Sequence, residues 1–174
     1  MAQKNNTKRL TVCAMLCALG VVLLLLGSVI EVMDIAMAAL ASLLCIFAVI
    51  EYGGAAPWLV FSVTGVLSLI LLPNKTPAAM YVVFLGYYPI IKEKLERLKK
   101  PIAWVLKEAI FNIALIALFF IVKFLLMPNA SDPLWLYAAL VVIAEVTFIV
   151  YDIALTRLIT FYILRLRHRF KFMK

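Results

Sequence analysis

Thr7 to Ile30 reads TKRLTVCAMLCALGVVLLLLGSVI: two basic residues, then a run from Leu10 to Ile30 that carries no charge. About 20 apolar residues in a helix suffice to cross the hydrocarbon core of a bilayer. A basic start, an apolar run and the small pair Gly27 and Ser28 also sketch the outline of a secretion signal. The rest of the chain decides between the two readings. Five more apolar runs follow, so a retained first span is expected.

The six candidate spans are Leu10–Ile30, Ile35–Ile50, Ala55–Leu72, Ala78–Ile91, Ile102–Met127 and Leu134–Leu164, the second and fourth being short. Of 174 residues, 67% are hydrophobic and 15% charged, with mean hydropathy +1.10. A soluble domain is about half apolar and about a quarter charged. The expected fold class is therefore all-α, an integral membrane six-helix bundle in which residues 1–174 form a single transmembrane domain. The connectors are short, and no internal repeat or low-complexity linker separates the spans.

A net charge of +8 would suggest nucleic acid in a soluble protein, but here the basic residues report topology. Lysine and arginine are retained on the cytoplasmic side during insertion. With six spans, one side holds Lys4, Lys8, Arg9, Lys92, Lys94, Arg97, Lys99, Lys100, Arg165, Arg167, Arg169, Lys171 and Lys174, against Lys75 and, near the end of a span, Lys123. Both termini are expected in the cytoplasm. The outer connectors are then EVMD (Glu31–Asp34), LPNKTP (Leu72–Pro77) and MPNASDP (Met127–Pro133), and the inner connector EYGGAAP (Glu51–Pro57) turns on two glycines. Trp58, Trp104 and Trp135 fall near the expected lipid–water boundaries, where amphipathic rings settle.

Little in the chain points to chemistry of its own. There is no GxxxxGK[ST] phosphate loop, no HExxH and no GxSxG, and the one histidine, His168, lies in the basic tail RLRHRFKFMK. No enzymatic activity, cofactor or metal site is expected, and no nucleic-acid role. Cys13, Cys17 and Cys45 lie in apolar spans and read as small packing residues rather than a disulfide or metal set. The segment KEKLERLKK (Lys92–Lys100) is amphipathic and is expected to extend the fourth helix or lie on the inner surface among anionic headgroups.

Ionisable groups within spans are costly in lipid and mark pairs or function. Glu145 and Asp152 are seven residues apart on one face of the sixth span, with Arg157 beyond, while Glu108 and Asn112 share a face of the fifth. These groups either satisfy one another in fixing the two helices or form a proton or cation path. Glu145 lies about 16 Å along the helix from Leu134, near the midplane, and alone of these reaches the depth of a ligand entering from outside.

Ala14 and Ala18 are four residues apart, so they share a helical face along which another backbone can approach closely. Six spans, a basic lead-in and this AxxxA strip, with the stretches EYGGAAPW, LLPNKTP and LGYYPIIK, make the chain resemble the substrate-binding S component of an energy-coupling factor (ECF) transporter. That resemblance implies uptake of a vitamin or related small molecule through the bacterial cytoplasmic membrane. It implies that Ala14 and Ala18 dock on a transmembrane coupling subunit, itself seated on two ATPases. The absence of a histidine just after Met1 separates the chain from the nickel and cobalt members. By position, the resemblance places a substrate pocket toward the outer side, with Glu31, Asp34, Asn74, Lys75, Tyr81, Asn129, Asp132, Trp135, Tyr137 and Glu145 as candidates. Two other classes stay open: a membrane scaffold of the cell-shape or envelope kind, and a proton-coupled carrier or channel using Glu145 and Asp152.

The charge asymmetry has a direct test. In a background lacking the three native cysteines, a cysteine placed at Ala130 should react with an impermeant thiol reagent in intact cells, and one in the amino-terminal tail should not. The reverse pattern would invert the topology.

Overall fold

The computed structural model describes residues 2–121 and 134–166. Every regular element among them is helical, and no strand occurs. The order is α1 (Ala2–Val29), a 3-10 turn (Glu31–Met33), α2 (Asp34–Glu51), α3 (Ala56–Leu71), α4 (Thr76–Met80), a π-helical segment (Tyr81–Leu85), α5 (Tyr88–Leu95), α6 (Lys100–Ile121) and α7 (Leu134–Phe161), which continues into a second π segment (Tyr162–Leu166). Because α4, the first π segment and α5 follow one another as a single interrupted run, the described chain forms six helical rods, in agreement with the all-α expectation. Among the described residues, four helices are long and apolar enough to cross a membrane: Thr7–Val29, Asp34–Glu51, Lys100–Ile121 and Ala139–Arg165.

The rods depart from the expected spans in identifiable ways. The fourth was expected over Ala78–Ile91 but runs from Thr76 to Leu95, about 30 Å at 1.5 Å per residue. Proline is tolerated in the first turn of a helix but clashes with the preceding turn inside one. Pro77 and Pro89 each occupy the first turn of their own segment. The π register makes this possible, closing with a bond from Gly86 N–H to Tyr81 O at 2.7 Å. The segment KEKLERLKK does extend the fourth helix, as far as Leu95. At the amino end α1 begins at Ala2, eight residues ahead of the expected apolar start. The last part of the expected fifth span, residues 122–127, lies outside the described residues.

The chain divides into two compact units, Met1–Leu118 and Phe119–Lys174. In the first, α1 packs on α2 and α3, and α2 also meets α4, the π segment and α5. The contact faces are made of small residues. On α1 they are Cys13, Cys17, Gly20, Gly27 and Ser28 around Leu24; on α2, Ala38, Ala41, Ser42, Cys45 and Ala48; on α3, Ala56, Val60, Thr64, Gly65 and Ser68. Large apolar side chains point the other way, among them Met15, Val22, Val29, Leu59, Ile70, Val105 and Ile113. Small residues let backbones approach, which is how helices associate when lipid removes the advantage of burying large ones. This small-inside, large-outside arrangement is what a lipid solvent selects, and Cys13, Cys17 and Cys45 lie buried within it as free thiols.

Ala14 and Ala18 are not part of the packed face. They lie on the exposed side of α1, alongside Met15, Val22 and Leu25, next to but distinct from the strip of Cys13 and Cys17.

Side chains close both ends of the first unit. At one, the Arg9 guanidinium donates to Gly53 O at 3.1 Å and lies over the Tyr52 ring, 5.8 Å from its centroid. Gly53 and Gly54 both have φ of +57°, a left-handed geometry that a side chain resists. At the other, Ser28 and the Asn74 backbone exchange bonds: Ser28 Oγ donates to Asn74 O at 3.1 Å and accepts from Asn74 N–H at 2.9 Å. Since Arg9 lies in the first third of α1 and Ser28 in its last turn, the α2–α3 and α3–α4 connectors sit at opposite ends, as alternating spans require.

Gly54 isolates the conformational cost, because a Cβ there would meet nothing within 4 Å. Gly54→Ala should therefore destabilise the detergent-solubilised protein by about 1–2 kcal/mol through backbone strain alone, read as a lower thermal unfolding midpoint with unchanged helical content.

Candidate functional site

A cluster of uncharged polar side chains lies inside the first unit. Tyr81 opens the π segment and is fully buried, with its hydroxyl 3.3 Å from Cys45 Sγ on α2. Thr64 on α3 faces both that hydroxyl and the Cys17 thiol, although its Oγ1 reaches hydrogen-bond geometry with neither. One turn on, Ser68 is equally buried and its Oγ has no hydrogen-bond partner among the described residues. Ser42 Oγ donates to Ala39 O at 2.6 Å, and Cys17 lies 3.9 Å from Val60 O.

The helices explain why these groups converge. Thr64 and Ser68 are four residues apart, on the α3 face that also carries Val60, and Ser42 and Cys45 are three apart on α2. A serine or threonine in an apolar helix ordinarily donates back to the carbonyl four residues earlier. On α7, Thr147, Thr156 and Thr160 all do so, at 2.7, 2.9 and 2.8 Å. Thr64 and Ser68 depart from this habit. Aromatic rings adjoin the cluster: Phe61 lies 5.9 Å from Tyr81, 6.0 Å from Tyr87 and 6.1 Å from Trp58, centroid to centroid. Hydroxyls and thiols beside aromatic walls can hydrogen-bond and stack against a neutral ligand, but they offer no formal charge to pair with an ionic one.

Of the expected site residues, this cluster contains only Tyr81. Asn74 and Lys75 close the α3–α4 turn: Asn74 Oδ1 accepts from Thr76 N–H at 3.0 Å and Thr76 Oγ1 at 2.8 Å, and Lys75 Nζ donates to Leu72 O. Asp34 is the buried first residue of α2, and Glu31 opens the 3-10 turn. Trp135 is exposed on α7, where Tyr137 also lies. Asn129 and Asp132 lie outside the described residues. Glu145 is half-buried on α7, and its Oε2 is shielded from solvent with no hydrogen-bond partner among the described residues.

Cys45, Thr64 and Ser68, which the structure buries in the first unit, were not among the candidates that the sequence offered. Polar residues repeating every four positions in an apolar run were the available signal for the α3 pair.

A second group lies at the α5–α6 turn. Lys92, fully buried, and Lys107, nearly so, both approach Glu96 Oε1, at 3.1 and 3.5 Å. Lys107 also stands over the Trp104 ring, 5.6 Å from its centroid. Asn112 donates to Glu108 O on its own helix at 3.0 Å. Among the described residues no group of three or more His, Cys, Asp or Glu could hold a metal ion.

The two kinds of buried hydroxyl predict mutations of opposite sign. Removing Ser68 Oγ or Thr64 Oγ1, as in Ser68→Ala or Thr64→Val, takes away a buried polar group without a bond and should raise stability by up to about 1 kcal/mol. Ser28→Ala breaks two bonds to Asn74 and should lower it by about 1–2 kcal/mol. Thermal unfolding in one detergent compares all three.

Set against protein-family models, curated proteins and solved structures, the chain finds no match.

Proposed function

We propose that the chain is the membrane-embedded binding subunit of an uptake system for a vitamin or vitamin-like small molecule, driven by separate ATP-hydrolysing partners, as its resemblance to ECF S components implies. It resides in the bacterial cytoplasmic membrane as a multi-pass protein with both termini inside. The observation that carries the reading is the face that α1 leaves uncovered. Ala14 and Ala18 form an exposed strip of small side chains on a helix whose other face is already packed on α2 and α3. A small strip spent on internal packing would be buried. Left exposed, it is available to a partner helix.

The buried neutral cluster around Tyr81, Thr64 and Ser68 supports a ligand that is uncharged where it meets the bundle. In this scheme the substrate is captured at the outer end, the Glu31–Asp34 connector closes over it, and the bundle reorients against its coupling subunit as the ATPases turn over. The shielded, unbonded Oε2 of Glu145 favours a second reading, a proton-coupled carrier, in which that carboxyl takes up and releases a proton.

Co-purification separates the two. Ala14→Trp and Ala18→Trp should leave folded yield within about twofold of the parent, because the indole projects from an exposed face. They should also abolish recovery of a transmembrane coupling subunit and ATPases, and uptake with them. Cys17→Trp, on the packed face, should lower folded yield instead through overpacking worth about 1–3 kcal/mol or more. Unchanged partner recovery and uptake in both alanine variants would remove the docking assignment, and failure of the parent chain to recover any such partner would leave the carrier reading.

A further inference from the structure

The packed face of α3 is asymmetric along its length. In chain order it presents Ala56, Pro57, Val60, Thr64, Gly65 and Ser68, so it is apolar near Gly53 and carries hydroxyls toward Asn74. Thr64 is 1% exposed and Ser68 0%, and neither hydroxyl oxygen has a hydrogen-bond partner among the described residues. A buried hydroxyl without a partner costs free energy in this packing. Any packing that wets it recovers that cost.

The seal at the Asn74 end is small. Ser28 Oγ donates to Asn74 O at 3.1 Å and accepts from Asn74 N–H at 2.9 Å, and both bonds are only partly buried. Behind this pair stand Leu24 and Leu72, both buried, and then Ser68, whose carbonyl accepts from Leu72 N–H at 3.0 Å. Thr64 lies one turn further in, about 6 Å along the helix, and faces the Tyr81 hydroxyl, itself 3.3 Å from Cys45 Sγ. The Gly53 end has a tie of its own, from Arg9 to Gly53 O at 3.1 Å. No hydroxyl lies behind that tie on the packed face of α3.

We propose that the Ser28–Asn74 pair is a latch: its release opens the first unit at that end alone and admits water and small uncharged solutes along the Ser68–Thr64 stripe as far as Tyr81 and Cys45. The open form gives hydrogen bonds to two oxygens that the closed form leaves bare. Closure therefore depends on the two latch bonds and on the packing of Leu24 and Leu72. Opening of this local kind is governed by the few contacts it breaks rather than by the stability of the whole fold. It needs neither a coupling subunit nor an ATPase, so it stands apart from the uptake reading and gives the neutral cluster a route to solvent in the chain by itself.

The native cysteines report on it. All three are buried free thiols; Cys45 stands at the far end of the stripe beside Tyr81, and Cys13 lies one turn from Arg9 on α1. The full-length chain in lipid nanodiscs is labelled with iodoacetamide, and the rate at each cysteine is read by peptide mass spectrometry. In the parent, Cys45 should label faster than global unfolding in the same nanodiscs permits. Ser28→Ala should accelerate Cys45 by a factor of about 5–30, the population shift that loss of two closed-form bonds brings. It should leave Cys13 within about twofold, since distant sites act independently. Ser68→Ala should slow Cys45 by up to about fivefold, because it removes an oxygen that opening wets. Arg9→Gln should accelerate Cys13 and leave Cys45 within about twofold.

A common acceleration of all three cysteines in Ser28→Ala, as global loosening gives, would overturn the latch. So would an unchanged Cys45 rate in Ser68→Ala, a test that stands even if Ser28→Ala folds poorly. Acceleration of Cys45 by Arg9→Gln as large as that by Ser28→Ala would reject an opening confined to the Asn74 end.

Discussion

A bilayer gives large apolar side chains no reason to hide, and the first unit is built around that constraint. In water a core forms because leucine and phenylalanine leave the solvent; in lipid, helices hold together through close backbone approach and interhelical hydrogen bonds. The contact faces of α1, α2 and α3 are accordingly lined with cysteine, alanine, glycine and serine, and the bulky residues are turned outward. Cys13 and Cys17, unpaired and buried, act here as small spacers.

Close packing of small residues also brings polar groups together, because the side chains that allow approach are often hydroxyls and thiols. Ser28 uses this at one end to tie α1 to the Asn74 turn, and Arg9 reaches Gly53 at the other. Between them, Tyr81 meets Cys45 while Thr64 and Ser68 keep their oxygens unbonded. A buried polar group without a partner costs free energy, so its presence where helical back-bonding was available is a departure from the local rule, of the kind that collects at functional positions. The π segment belongs to the same departure: it absorbs Pro89 and carries Tyr81 at its start.

The α5–α6 turn uses charge differently. A buried lysine is tolerated when an acid accompanies it, and Glu96 serves two lysines from two helices at once. Read along the chain, KEKLERLKK is a run of solvated charges at a membrane surface. Folded, its first lysine is fully buried while Leu98 is exposed, because α5 ends at Leu95 and the residues after it leave the helical phase.

The sequence by itself determined the solvent, the helical class, the approximate rods and the turns. Apolar runs of membrane length admit only a structure that satisfies every backbone group internally, and Gly53, Gly54, Pro77 and Asn74 mark chain reversals through their own backbone preferences. It could not determine which stripe of α1 faces inward. Cys13 with Cys17 and Ala14 with Ala18 are adjacent strips with the same spacing and similar size. A helix apolar all round carries no amphipathic phase to choose between them. Only the tertiary structure decided, by setting Gly20 against Thr64 and Gly27 against Met37 and Pro77. Those contacts rotate the cysteine strip into the bundle and leave the alanine strip outside it. The same holds for Tyr81, whose meeting with Cys45 depends on how the rods cross, which no local pattern encodes.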